Sequence, residues 1–534
     1  MPMDRRRFLA SLTSPLLASC EFEHGQPHLT GDLLGPDMAL GHKLRDRGFP
    51  AATETRNIPV AIVGGGIGGL CAAWRLVKRG ITDFRLFELE TAPGGNARSG
   101  SNAFTAYPWG AHYLPFPTVE STYVRELLAD LDILKGDPAA VAPRYDERYI
   151  VGPPQERLYI QGLWQEGLLP RIGATRRDLD QYKRFDDLTD AFRRRRDAQG
   201  HKAFALPAAF SSTDPELRAL DRLSFRDWLL AQGLDSPALH WYADYGCRDD
   251  FGGHSHHISA WAGLHYHASR DALATDAEAR EVLTWPQGNG FLVQQISAWL
   301  KAHAPNAMQT HSPCVRVETA SGHADIDIYD ANLNTVTRYR AEQVIWAAPA
   351  QVLARVWVNA PAGLAQAATQ MEVSPWLVAN LELDALPIDA GPAGLCWDNV
   401  LYDSPALGYV VATHQAIRTG PGPTVLTYYW PIDDQGVPQA RQRLYTTDWK
   451  TWADAIVAEL SRPHPGLREQ LKRMDIWRWP HAMARPVPGF LTAPIRQLLA
   501  GLTQPLSFAH ADLTGFSLFE EANYAGTRAA NFAR

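Results

Sequence analysis

Apolar and polar positions along this chain fall into two rhythms. Ile58-Pro59-Val60-Ala61-Ile62-Val63 is a β-branched run bounded by turn residues, which predicts a strand buried on both faces. Leu70-Cys71-Ala72-Ala73-Trp74-Arg75-Leu76-Val77 predicts a helix, and Gly80 is placed to end it in a left-handed conformation. Phe84-Arg85-Leu86-Phe87 predicts a second strand. Further along, the stretches from Ser259 to Tyr266 and from Leu292 to Leu300 predict helices, and Gln343-Val344-Ile345-Trp346 a strand. Residues 21–56 have little periodicity and are rich in Gly, Pro and charge, which predicts a tether rather than a domain. No apolar stretch reaches the roughly 18 residues of a membrane-spanning helix.

Between the first strand and the helix stands Gly64-Gly65-Gly66-Ile67-Gly68-Gly69, and the second strand ends at Glu88. Strand, glycine loop, helix, strand and acid occur in the order of a dinucleotide-binding unit. Gly64 permits a tight turn, and Gly66 lets backbone approach a pyrophosphate. Ile67 opens the helix whose free N–H groups face the phosphates, and Gly69 and Ala73 let that helix lie close to the sheet. Glu88 is placed to accept hydrogen bonds from a ribose diol.

The next motifs are Pro93-Gly94-Gly95-Asn96-Ala97-Arg98-Ser99 and Trp109-Gly110-Ala111-His112-Tyr113. With them the chain resembles the flavin amine oxidase superfamily, which includes amine oxidases, protoporphyrinogen oxidase and phytoene desaturases. The resemblance implies FAD, with Gly95, Asn96 and Arg98 beside it. It extends through Trp285-Pro286-Gln287-Gly288-Asn289-Gly290-Phe291, through the strand around Val315 whose backbone would meet adenine, and through Gln343 to Pro349. It closes with Phe508-Ala509-His510-Ala511-Asp512 and the segment from Ser517 to Ala530, where Asp512 and Ser517 would lie by the cofactor and a helix would aim its N-terminus at the flavin pyrimidine ring.

The implied fold class is α/β: a Rossmann-like FAD-binding domain from residues 57–115, 285–350 and 491–534, with an interleaved α+β substrate domain from 116–284 and 351–490. Two features depart from the resemblance. The lysine that such amine oxidases hold near the flavin is missing, and Asn380 stands in its place. Asn96 replaces the usual arginine after the glycine doublet, a variant shared with UDP-galactopyranose mutases, and Arg98 is the candidate to compensate. The missing lysine points toward a quinone or carrier as electron acceptor as much as toward oxygen.

Candidate substrate contacts are Trp397, Trp479, His112 and Asp249, which offer aromatic walls and a carboxylate for a cation. No catalytic side chain is assigned, because a flavin would supply the redox chemistry. His254, His256, His257, His265 and His267 cluster in sequence without metal-ligand spacing; His254 and His257 would share a helical face, and no metal is expected.

Composition narrows the rest. The chain has 534 residues, more than one core supports, and 46% hydrophobic with 20% charged residues is globular. A net charge of -7 gives no reason to expect nucleic-acid binding. Asp4-Arg5-Arg6-Arg7-Phe8-Leu9 before a short apolar run resembles a twin-arginine export signal, and Leu17-Ala18-Ser19-Cys20 a lipoprotein cleavage site. Residues 1–20 are therefore expected to be a signal for a periplasmic protein, with Cys20 as a lipid anchor to the membrane. Three functions remain: hydride transfer to flavin N5 from the C–H of an amine, including a polyamine; desaturation or isomerisation of an apolar polyene or tetrapyrrole-like substrate; or flavin binding without turnover.

Overall fold

The strand expected at 58–63 reaches back to Glu54 in the computed structural model, which describes residues 29–275, 277, 281–387, 394–416, 420 and 422–534. The proposed signal and Cys20 lie outside the described residues. Glu54–Val63 pairs in parallel with Phe84–Phe87 on one side and Thr335–Trp346 on the other. Met308–Gln309 continues the sheet beyond Phe84–Phe87. His323–Asp330 and Cys314–Ala320 continue it antiparallel beyond Thr335–Trp346, whose end also pairs in parallel with Leu506–Phe508. Covering both faces explains the unbroken apolar run. Val60 and Ile62 pack toward Leu70 and Trp74 of the first helix, whereas Ala61 and Val63 pack toward Val344, Trp346 and Leu353.

Ile67–Lys78 forms the first helix, with Leu70, Cys71, Ala72, Ala73, Trp74 and Leu76 all buried. Gly80, at φ 81°, ends it as expected, and the Ile81 N–H closes the turn on the Leu76 carbonyl at 2.9 Å. A helix at Phe519–Ala530 crosses it so closely that two glycines meet backbone to backbone. A Cβ on Gly526 would sit 2.1 Å from the Gly68 carbonyl oxygen.

A second, eight-stranded sheet runs Leu33–Leu34, Leu471–Ala484, Val373–Leu383, Thr424–Pro431, Tyr409–Val411, Asp398–Leu401, Glu156–Ile160, Leu163–Glu166. Period-2 alternation divides its faces. Leu377, Leu381, Leu426 and Tyr428 pack under Trp452 and Ile456 of the helix Trp449–Leu460. Trp376, Val378, Tyr429 and Trp479 form the other face with Tyr107 and Trp109. A helical layer completes the molecule, including Arg176–Arg194, Phe225–Ala231, Pro237–Phe251 and Ala260–Ala268. Among the described residues, no helix is long and apolar enough to cross a membrane.

The expected tether at 21–56 differs from the structure from residue 29 onward. Leu33 and Leu34 pair in parallel with Ile476 and Trp477 of the second sheet. Met38–Asp46 is a helix, capped by the Asp37 carboxylate accepting the Leu40 N–H at 2.9 Å, and its buried Leu44 packs against the first sheet. This segment straps the two sheets together. Its strand is two residues long and its partner lies more than 440 positions away, so no local periodicity reveals it.

Candidate active site

The glycine loop and the Gly94-Gly95 doublet face each other. Gly64 takes φ 106°, and a Cβ there would strike the Ala347 carbonyl at 2.7 Å, so only glycine fits the turn. The Gly94 N–H donates to the Gly65 carbonyl at 2.9 Å, and a Cβ added to Gly95 would come within 3.5 Å of the Gly66 Cα. Gly66 is the N-cap of Ile67–Lys78 and has no side-chain cap, and a Cβ built on it meets only open space. The first N–H groups of the helix therefore open onto a groove that a Cβ would fill, with the positive end of the helix dipole behind them. This cradle fits a pyrophosphate. Gly69 acts as expected: its Cβ would collide with the Gly64 carbonyl at 1.8 Å and crowd Ala347 on the neighbouring strand.

Glu88 is buried at the end of its strand. One carboxylate oxygen accepts the Gly65 N–H at 2.5 Å and the other the Glu90 N–H at 2.8 Å. Each oxygen retains a lone pair for a ribose hydroxyl. Burial pushes this carboxyl up from its ordinary range, against the pull of those two N–H groups. Val315 sits at a bulge in Cys314–Ala320 and remains partly accessible.

Three expected contacts are engaged elsewhere. Arg98 forms an ion pair with Glu90 at 3.0 Å, so the charge expected for the pyrophosphate is already matched. The Asn96 amide donates to the Ala482 carbonyl and ties the doublet to the second sheet. Asp512 caps the helix Ala350–Val356 by accepting the Ala350 N–H at 2.9 Å, with His510 at 3.2 Å from its other oxygen. Ser517 is partly accessible and accepts the Ala484 N–H at 2.9 Å, just before the uncapped N-terminus of Phe519–Ala530.

From Gly110 onward the chain enters the space between the sheets. The Tyr429 hydroxyl donates to the Gly110 carbonyl at 2.9 Å, and His112 stacks on the Tyr429 ring with centroids 4.5 Å apart. Trp397 lies 5.5 Å from His112 and 6.0 Å from Tyr113, ring to ring. The Tyr113 hydroxyl donates to Asp249 at 3.3 Å, and the Tyr245 hydroxyl is hydrogen-bonded to Asp398. His112, Tyr113, Asp249, Asp398 and Tyr266 keep accessible surface although protein surrounds them, so they line an enclosed space. Three of the four expected substrate residues therefore converge. Trp479 packs in the same cluster but against Trp477, and its indole N–H donates to the Trp109 carbonyl at 2.6 Å.

The electrostatics of this space are acidic. Asp250 is ion-paired with Arg270 at 2.6 Å. Burial first, then Asp250, pushes the Asp249 carboxyl up; burial first, then Glu156 and Asp249, pushes Asp398 well above the carboxylate range. His112 is driven down to about 3 by burial, so it stays neutral. A cation entering here would relieve the repulsion between the acids. Sequence reading missed Asp398 as a site residue and Tyr245 altogether. No local pattern marks Asp398: the strand Asp398–Leu401 begins with two polar residues, Asp398 and Asn399.

Asn380, the residue read in place of the lysine, is buried and hydrogen-bonded through both ends of its amide. Its amide donates to the Pro108 carbonyl at 3.0 Å and its oxygen accepts the Thr427 hydroxyl at 2.7 Å.

A family model for an NAD(P)-binding Rossmann-like domain matches residues 62–131, the segment that builds this cradle. Among solved structures, putrescine oxidase bound to putrescine is 17% identical, with a TM-score of 0.64 over 89% of this chain and 99% of that one. The two chains share a fold. Cyclohexylamine oxidase from Brevibacterium oxydans aligns at 14% identity and TM-score 0.63, over 89% of this chain and 98% of that one. A CLA-producing fatty acid isomerase from P. acnes aligns at 12% identity and TM-score 0.62, over 88% and 97%. Proteins with this fold thus include amine oxidases and a fatty acid isomerase. No curated protein sequence matches the chain.

Proposed function

We propose that this protein is an FAD-dependent oxidoreductase that oxidises an amine, with a polyamine as the favoured substrate. The observation behind the reading is the enclosed acid pocket: Asp249 and Asp398, each hydrogen-bonded by a tyrosine, lie one side-chain layer from the Gly110–Tyr113 segment. An apolar polyene has no use for buried carboxylates, which cost several kcal/mol each when left charged and unpaired. An ammonium group matches them.

When bound, FAD would supply the acceptor for a hydride from the carbon beside nitrogen. The residues placed to hold it are Gly64, Gly66, Gly95, Glu88 and the N-terminus of Ile67–Lys78. The chain's own part is then positional and electrostatic. Asp249 and Asp398 hold a cationic amine, and Trp397, Tyr429 and Tyr113 pack its alkyl chain and exclude water. His112 is neutral and places no opposing charge beside that cation. Asp249 Oδ2 can take a proton from the incoming ammonium, since burial already favours its protonated form.

The engaged Asn380 puts no ammonium group beside the cofactor, which supports a quinone or protein carrier over oxygen as acceptor. The arginine-rich start supports export to the periplasm, with Cys20 as a membrane anchor; fractionation and N-terminal mass spectrometry test this. The functional test is anaerobic mixing of the flavin-loaded protein with mono-, di- and polyamines. Bleaching of the flavin band by amines, and not by apolar polyenes, is the expected result. No bleaching by any amine overturns the proposal.

A further inference from the structure

We infer that Asp244, His254 and His256 form a binding site for a divalent transition metal on the turn that follows the helix Pro237–Phe251. One ligand atom from each lies within 4.8 Å of the others. Tetrahedral nitrogen and oxygen ligands around zinc stand about 3.3 Å apart, so small side-chain rotations close the set.

The backbone builds the arrangement. Gly252, at φ 59°, ends the helix in the left-handed conformation and turns the chain back. The N–H groups of His257 and Ile258 then close on the His254 carbonyl at 2.8 and 3.1 Å. This turn folds 254–256 over Asp244, ten and twelve positions earlier. It also replaces the helical reading that paired His254 with His257, because the segment is a tight turn and His256 is the residue drawn in.

The surroundings are those of a ligand set. The Asp244 Oδ1 atom accepts the Ser255 N–H at 2.7 Å and the Ser255 hydroxyl at 2.9 Å, which fixes the carboxylate and turns Oδ2 toward His254 Nδ1 at 2.7 Å. On the far side of the same ring, His254 Nε2 lies 3.7 Å from Asp433, which Arg248 holds at 2.7 Å. A carboxylate behind a ligating imidazole orients the ring and raises its basicity. His256 is exposed, and its ring lies 5.4 Å from that of His254 at an angle of 21°. An ion pair between Asp244 and His254 explains those two residues but not the third. The exposed side leaves room for water to complete the coordination. Two imidazoles and one carboxylate suit zinc, cobalt, nickel or copper, and not magnesium or calcium.

Bound metal would brace the turn between Pro237–Phe251 and Ala260–Ala268. The first of these helices also bears Asp249, and the second Tyr266, so the metal would stiffen the acid pocket from behind. The site itself stands whether or not the pocket takes amines.

The test uses untagged, full-length, flavin-loaded protein treated with chelator and then titrated with Zn²⁺ by calorimetry and with Co²⁺ by visible absorption. One Zn²⁺ per chain is expected, with a rise in Tm. His256→Ala, an exposed change that spares the fold, should weaken binding by about tenfold or more and abolish the Tm rise. His257→Ala should leave both intact. Absence of stoichiometric Zn²⁺ binding, or binding undiminished in His256→Ala, overturns the inference.

Discussion

Gly526→Ala tests whether backbone contact between two helices sets the cofactor cradle. At an open helical position the change is favourable by about 1 kcal/mol, because alanine restricts the unfolded chain. Here the added Cβ would stand 2.1 Å from the Gly68 carbonyl oxygen, 3.0 Å from its carbon and 3.1 Å from the Ala72 nitrogen. All three are backbone atoms and cannot rotate away. The helices Ile67–Lys78 and Phe519–Ala530 must separate by about 1 Å, which forfeits a quarter to a half of the dispersion energy across the contact. Sliding Ile67–Lys78 the other way gives no relief, since Gly68 is itself wedged: its own Cβ would sit 2.1 Å from the Ala509 carbonyl oxygen. Overpacking of this kind costs about 1–3 kcal/mol and outweighs the propensity gain. The displaced helix start also spoils the cradle. Thermal and urea unfolding of the cofactor-free protein, with the flavin content of purified samples, should show a lower midpoint and lower occupancy. Gly41→Ala is the control. Gly41 lies in Met38–Asp46, and a Cβ added there would have no neighbouring atom within 4 Å, so the change should stabilise by about 0.5–1 kcal/mol. A Gly526→Ala protein as stable as the parent, with full flavin, would refute the reasoning.

Gly66→Ala should behave oppositely. Its extended backbone, φ -71° and ψ -176°, suits any residue, so stability should stay within about 1 kcal/mol while flavin affinity falls at least tenfold; equilibrium dialysis reads the affinity. Asp249→Asn should remove a pH dependence. Because the folded-state pKa is raised, the folded protein binds the extra proton, and stability falls as pH rises from the ordinary carboxylate range through that raised value. The variant should gain Tm relative to the parent at about pH 8.5 but not at about pH 4, and parallel pH profiles would count against the buried acid. Asn380→Ala leaves the Pro108 carbonyl and the Thr427 hydroxyl without their partner in the interior and should cost about 1–3 kcal/mol, read as a lower unfolding midpoint.

Local chemistry fixes what a short stretch of sequence can announce. The strand at Val60–Val63, the turn at Gly64, the open N-terminus at Gly66 and the acid at Glu88 fall within some thirty residues, and each follows from backbone sterics or hydrogen-bonding need. Asn380 stood out only through the resemblance, since nothing in the local pattern of its strand marks it. Other roles depended on partners that local pattern does not name. Arg98 reads as an anion ligand until Glu90 is seen to hold it. Leu33 and Leu34 look like tether until Ile476 and Trp477 pair with them.

By itself, then, the sequence determined the dinucleotide unit and the glycine positions that build its cradle. Only the tertiary structure decided the acid pocket, which joins residue 113 to residues 249 and 398, and the Asp244–His254–His256 cluster, which needs a reversal of the chain at Gly252. The physical reason is the range of the forces involved. Backbone conformation and helix capping are settled within a few residues, whereas the repulsion of buried carboxylates and the encounter of histidines with an acid exist only once distant segments are packed within a few ångströms of each other.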